Sequence, residues 1–305
     1  MALTSPGLTL AIEPLFGHIR PALDLIDALG PTDFSKDAPG IDIKPGSTIK
    51  APLSTVAAAT AFVDTATAAS TGGTVHNYLT GGDTDWATLT ATHFLSGYDL
   101  KGENIDQGVN AARIKQLFSK RCGVSIAMAV RNTIRTALDN TTNIAPSTAV
   151  KIPAAGTATL ADYDGLASAK DWFDPTEACL VVNGTEWAAI KAVMHNAHLS
   201  ASPQSIAEEL GFKKVILLAG MTRRMCIVPY SSIGFIARVP ALIADYEESG
   251  VETDEKSGLS IGIVVASERG DNKRVVNGDL WFGCAAVGCA AAASTPGIIG
   301  VGTAV

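Results

Sequence analysis

Between about Asp106 and Asn140 the chain carries one long helical pattern, and the stretch before it has a different character. Ile114, Leu117, Phe118, Cys122, Ile126, Val130, Ile134 and Leu138 recur at three- and four-residue spacing and form a single apolar stripe. A helix of that length spans roughly 50 Å, several times the usual dozen residues, so it must run the length of whatever it packs against. From Gly46 to Asn104 the sequence is instead rich in Thr, Ala and Gly and poor in charge, with turn signals at Gly72-Gly73 and Gly81-Gly82. Thr48–Val56, Thr74–Leu79 and Asp83–Leu95 read as strands, the last tending to separate Trp86, Leu89, Ala91 and His93 from Thr88, Thr90 and Thr92. Such a ribbon has no thick core of its own. The expectation is that a second copy of the chain covers it.

Composition points the same way. Of 305 residues only 17% are charged while 47% are hydrophobic, and a lone soluble particle needs more charged surface than that. The formal net charge of -7 argues against a dedicated nucleic-acid binder, whose balance is basic. Cys122, Cys179, Cys226, Cys284 and Cys289 include no C-x-x-C pair and read as buried small hydrophobes in a reducing compartment. Glu13, His18 and Arg20 interrupt the N-terminal stretch, which therefore does not read as a secretory leader. Leu280 to Val305 contains no charge, but it is mostly Ala and Gly and Ser294–Gly297 breaks it, so two buried strands joined by a turn fit better than a membrane span.

Either side of the long helix the pattern is mixed. Pro14–Ala28 reads as a short helix with Ile19, Leu23 and Ile26 on one side, and Ser35–Pro45 as a loop or extended arm. An α/β pattern begins at Ala178: strand 178–182, an N-cap at Asn183-Gly-Thr, a helix over Glu186–His195, and a second helix opened by Ser202-Pro203 and closed at Gly211. Val215–Ala219 and Met225–Val228 read as buried strands, Ser231 as the start of a short helix, and Ile261–Ser267 and Arg274–Ala286 as strands joined by a turn at 269–272.

The chemistry-bearing motifs are absent or incomplete. His195 and His198 share a helical face, yet no His-Glu-x-x-His and no companion Cys completes a zinc set. Asp245 to Lys256 begins like a calcium loop but has Lys256 where a bidentate Glu belongs. The chain has no phosphate loop and no G-x-S-x-G elbow, and Gly297-x-x-Gly300-x-Gly302 has no following helix. The expectation is a protein without catalytic residues, cofactor or metal.

Two charged surfaces remain. Arg113, Lys115, Lys120, Arg121, Arg131 and Arg135 lie on the long helix away from its apolar stripe and are candidates for an inward face towards a polyanion. Glu247, Glu248, Glu252, Asp254 and Glu255 form an acidic run, read as a hairpin tip and a candidate contact between subunits.

The order of these elements resembles the major capsid proteins of tailed bacteriophages, with the Hong Kong-type (Johnson) fold. Phe94-Leu-Ser-Gly-Tyr-Asp-Leu-Lys-Gly-Glu-Asn104 followed by the long helix is similar to that family's passage into its spine helix. Ala178-Cys-Leu-Val-Val-Asn-Gly-Thr-Glu-Trp-Ala-Ala-Ile-Lys191 is similar to its axial-domain strand, turn and helix, and Ile227–Ile236 to its later strand and helix entry. The resemblance implies an α+β capsid-type fold: an N-terminal arm over 1–45, an extended E-loop region over 46–104, a P domain over 105–177 with the spine helix at 106–140, an A domain over 178–290 and a C-terminal segment over 291–305. It implies a structural subunit that assembles with itself, as hexamers and pentamers, into an icosahedral shell around double-stranded DNA. Scaffolding, portal or decoration proteins are the further partners it implies, and the virion, assembled in the host cytoplasm, is the expected location. An encapsulin-like compartment holding a cargo enzyme keeps the fold and changes the content. A soluble α/β enzyme with a site near Asn183–His198 is the alternative of another class.

Overall fold

The computed structural model describes residues 20, 22–30, 32–34, 48–52, 86–101, 111–140, 144–146, 152–153, 155–166, 177–230, 232–239, 248–253, 259–268, 273–287 and 298–301. They form a mixed α+β molecule in which one long helix lies across two sheets.

That helix, α2 (Ala111–Asp139), follows a short helix α1 over residues 22–29. Cys122, Ile126, Val130, Ile134 and Leu138 are all buried, so the expected stripe is the face that packs. Each such side chain contributes about 1.5–3 kcal/mol of burial, which is what holds a helix this long in place. The helix runs unbroken through Gly123, and residues 106–110 lie outside the described residues.

The larger sheet has six strands, and β12 (Lys273–Ala286) is its spine. Along one edge β12 pairs antiparallel with β11 (Ser260–Glu268), then with β9 (Ile233–Arg238). Along the other it pairs with β4 (Thr92–Lys101) over ten residues, from Lys273↔Lys101 to Phe282↔Thr92. β1 (Thr32–Asp33) extends the sheet beyond β9, and β10 (Glu248–Thr253) extends it beyond β11. Successive residues of a strand face opposite ways, so Leu280 and Phe282 meet α2 while Trp281 lies on the far face with Leu89, Ile236 and Val287. The helix packs close at Gly278: a Cβ there would lie 2.9 Å from Ile126 Cδ1. Beside it the Cys122 thiol donates to the Ser96 carbonyl at 3.2 Å.

The second sheet runs β5 (Ile144–Pro146), β13 (Ile298–Val301), β8 (Met225–Pro229), β6 (Ala178–Val182), β7 (Lys214–Leu217). Every residue of β6 is buried, because both of its faces are covered. Leu180 and Val182 pack under α4 (Gly184–Asn196) and α5 (Pro203–Glu209), together with Tyr163 of the one-turn helix α3 (Leu160–Asp164). Cys179 and Val181 face α1 and α2. The α2 helix reaches this sheet at its C-terminal end, where Cys226 Sγ lies 3.8 Å from the Leu138 carbonyl.

Several sequence expectations change here. The stretch after Ser231 is strand β9 rather than a helix, because it has a free edge of β12 to pair with. The two strands expected in the uncharged tail both exist, yet they join different sheets and form no hairpin. The expectation that the whole ribbon 46–104 lacks cover in its own chain fails for residues 92–101, which are bonded into the sheet as β4. The base of the ribbon, β2 (Thr48–Pro52) paired with β3 (Trp86–Thr90), is also tied down. Leu89 and Ala91 are buried against Ile236, and a Cβ on Gly283 would lie 2.2 Å from the Thr90 carbonyl oxygen, so only glycine allows the ribbon to lie flat there. The expected strand 74–79 lies outside the described residues.

Candidate subunit-contact surfaces

Four of the six candidate basic side chains on α2 are described. Lys120 and Arg121 are exposed on α2, and Val124 and Met128 are exposed on the same side at 40% and 59%. Arg131 and Arg135 are half-buried. Arg135 lies over Gly220, where a Cβ would meet its Nη1 at 2.6 Å, and Arg131 lines a groove between α1 and β7. Arg113 and Lys115 are on the helix, and their side chains lie outside the described residues. The side that looked purely basic in the sequence is therefore basic with two apolar side chains set into it.

The acidic run maps to the edge of the larger sheet. Glu248 and Glu252 fall in β10, whose only described neighbour is β11, with Glu248↔Val265 and Glu252↔Ile261 as the register. Val251, between them in the strand, is 40% exposed. Thr253 and Ser260 close the pair through their hydroxyls at 2.7 Å. Glu247, Asp254 and Glu255 lie outside the described residues.

Near Asn183–His198, the alternative enzyme site, Asn183 and Glu186 are committed to structure. Asn183 Oδ1 accepts from the Glu186 amide at 2.8 Å and caps α4. The Glu186 carboxylate is fully buried; Oε1 accepts from the Tyr163 hydroxyl at 2.6 Å and from Arg224 Nη2 at 3.1 Å, and Oε2 accepts from Arg224 Nε at 2.8 Å. Arg224 also donates from Nη1 to the Ile152 carbonyl at 3.0 Å and from Nη2 to the Pro153 carbonyl at 2.7 Å. The ion pair thus ties the 152–166 segment to the sheet. Burial, and next the adjacent carboxylate, push the Tyr163 phenol well above its ordinary pKa. His195 and His198 are exposed. Sequence reading missed this network; its signal was the Asn-x-x-Glu spacing of Asn183 and Glu186, which resembles a capping box but sends the Glu to an arginine instead.

Cavities add little chemistry. A void of about 10 Å³ lined by Ile26, Leu29, Ile134, Ile233 and Phe235 is apolar, so it stays dry. An open cleft of about 290 Å³ lies where Thr88 and Thr92 approach Thr133 and Thr136. The Thr133 and Thr136 hydroxyls already donate to Ala129 and Asn132 carbonyls of their own helix, at 3.0 and 2.9 Å. Among the described residues no group of three or more His, Cys, Asp or Glu side chains is placed to hold a metal, and no helix is long and apolar enough to cross a membrane.

One long helix laid over a sheet whose strands come from both sides of it in sequence makes a mixed α+β fold consistent with a capsid type. A virus-like particle from Pyrococcus furiosus is similar over 95% of this chain and 96% of its own, with a TM-score of 0.52 and 10% identity. Structures from Mycobacterium phage Che8 (TM-score 0.45, 12% identity, 87% of this chain and 86% of that one) and the capsid of cyanophage P-SCSP1u (0.44, 10%, 89% and 85%) are similar as well. At these identities the likeness is one of fold. No family model matches the sequence, and no curated protein matches it.

Proposed function

We infer that this chain is a major capsid protein of the tailed-phage type, a structural subunit that assembles into an icosahedral shell around double-stranded DNA. The observation that carries the reading is the fold shared, end to end on both chains, with a virus-like particle. Low charge and exposed apolar side chains on α2 and β4, Met128 and Leu95, support it, since a shell covers such surface with neighbours.

In this reading residues 1–45 are the N-terminal arm, 46–104 the E-loop region, 105–177 the P domain with α2 as its spine helix, 178–290 the A domain and 291–305 the C-terminal segment. The sheet under the spine helix is completed by β4 from before it and β11 and β12 from long after it, so the chain leaves and returns to that layer. Lys120 and Arg121, with Arg113, Lys115 and Arg135 along the same helix, face the enclosed DNA and neutralise phosphates without reading sequence. Scaffolding, portal and decoration proteins are further partners, the virion is the location, assembly takes place in the host cytoplasm, and no step is enzymatic.

Negative-stain microscopy of the purified chain tests this. Closed particles are expected, and particles from infected cells protect DNA from nuclease. A well-behaved monomer at high concentration overturns the reading. Closed particles that enclose a second polypeptide and no nucleic acid give the encapsulin-like alternative.

A further inference from the structure

Both sheets end in an open edge, and the two edges are complementary. β10 closes the six-stranded sheet and β7 closes the five-stranded one; among the described residues neither has a partner strand on its outer side. Open edges present unpaired backbone donors and acceptors, and charge is one of the devices that decide what may add to them. The β10 edge carries Glu248 and Glu252 within an acidic run of five, with Val251 40% exposed. The β7 edge carries exposed Lys214 and Leu217, the latter 38% exposed, and forms one wall of a groove of about 280 Å³ whose other walls are α1 and Arg131. Asp24 also lines that groove, but Arg20 answers its charge at 3.2 Å. Among the described residues no carboxylate lies within ion-pair distance of Arg131 or Lys214.

We propose that the β10–β11 hairpin of one copy docks into the α1–β7 groove of a second copy, setting Glu248 and Glu252 against Lys214 and Arg131 and Val251 against Leu217. The occupant is a sister chain because the complementary acidic edge is on the same molecule. Two different patches meet, so the contact is heterologous and repeats from copy to copy, which closes into rings when the rotation allows. Strand addition supplies main-chain hydrogen bonds, and the flanking charges set register and exclude the wrong edge. This contact rests on the shell reading and names one of its interfaces.

The test is a charge swap read on particles. K214E with R131E, and separately E248K with E252K, each lower particle yield by roughly tenfold or more, and the four changes combined restore it. Since charge reversal in a strand can disturb folding, a second experiment uses L217C with V251C in an otherwise unchanged chain, both sites being exposed. Mild oxidation gives covalently linked oligomers on non-reducing gels, and neither single cysteine does. The inference is overturned if both reversals leave assembly intact, if the combination fails to rescue subunits that remain folded, or if the double-cysteine chain stays monomeric on the gel. Reversal of Lys214 and Arg131 that spares assembly but lowers the enclosed DNA also overturns it and assigns those cations to phosphate. A wild-type chain that forms no particles fails the shell reading instead, and the cross-link then reports on the contact alone.

Discussion

Asp139, the last residue of α2, accepts the backbone N–H of Arg223 at 3.1 Å, and its two oxygens accept that of Thr222 at 3.0 and 3.1 Å. An acid at a helix C-terminus opposes the macrodipole and costs a few tenths of a kcal/mol or more. Here the carboxylate is held by donors from the β7–β8 connection, and the long helix is pinned to the second sheet. D139A is expected to destabilise the subunit by about 1–3 kcal/mol, measured as a lower denaturant midpoint. D139N keeps an acceptor and loses less. Equal effects from both would show that the charge, not the hydrogen bonds, carries the anchor.

Glycines at helix and ribbon seats predict graded damage. G278A puts a methyl 2.9 Å from Ile126 Cδ1, a flexible side-chain end, and costs about 1–3 kcal/mol. G283A puts one 2.2 Å from the Thr90 carbonyl oxygen, which is backbone and cannot rotate away. G283A is therefore the more destabilising in thermal melts, and I126V rescues G278A without helping G283A.

Breaking the buried ion pair is severe. E186A leaves the Arg224 guanidinium without its carboxylate partner and costs about 3–5 kcal/mol, whereas the paired change E186L with R224M costs less than the sum of its parts. Circular dichroism on the refolded subunit separates these outcomes.

The contrast between Glu186 and the α2 stripe shows what was legible. The stripe from Cys122 to Leu138 is a local periodic signal, and the helix, its buried face and strand β6 followed from it or from similar runs. Pairing over long separations left no such trace. Nothing near His93 says that it meets Asp279, 186 residues on, through its ring nitrogen. The expected strand Asp83–Leu95 stops six residues short of the end of β4 at Lys101, because what holds those residues extended is β12, far later in the chain. The stretch after Ser231 was misread for the same reason: a short apolar run takes the structure of its neighbour, and its neighbour lies about fifty residues later at Trp281–Ala286. For the contact surfaces the charges were visible, but the exposure of Val124 and Met128 and the half-burial of Arg131 and Arg135 depend on packing.

Alkaline stability should follow the buried thiols. Burial pushes Cys226 up to about 12 from an ordinary 9.0. The folded state holds this proton more tightly than the unfolded state, so the stabilisation is complete below about 9, falls as pH rises and is lost as pH passes about 12. Tyr163, raised by burial, adds to the same decline from its ordinary value of 10.0 upward. Urea midpoints taken at pH 8 and pH 10.5 should drop less in C226A than in wild type, after allowing for the smaller side chain at pH 8. A parallel drop in both would mean that Cys226 does not control this limb.

Leu95 and Met128 are 58% and 59% exposed on opposite sides of the sheet that α2 covers. An isolated subunit gains nothing from either side chain, so L95K and M128K should change its stability by no more than about 0.5 kcal/mol. In a shell both positions are expected to be covered by neighbouring copies, where a lysine ammonium would be stripped of water without a partner. Each substitution should therefore leave the melting temperature of the dissociated subunit unchanged and sharply reduce the yield of closed particles in sedimentation. Wild-type yields from both variants would place these side chains on free surface of the particle, and the low charge of the chain would then need another cause than coverage by its own copies.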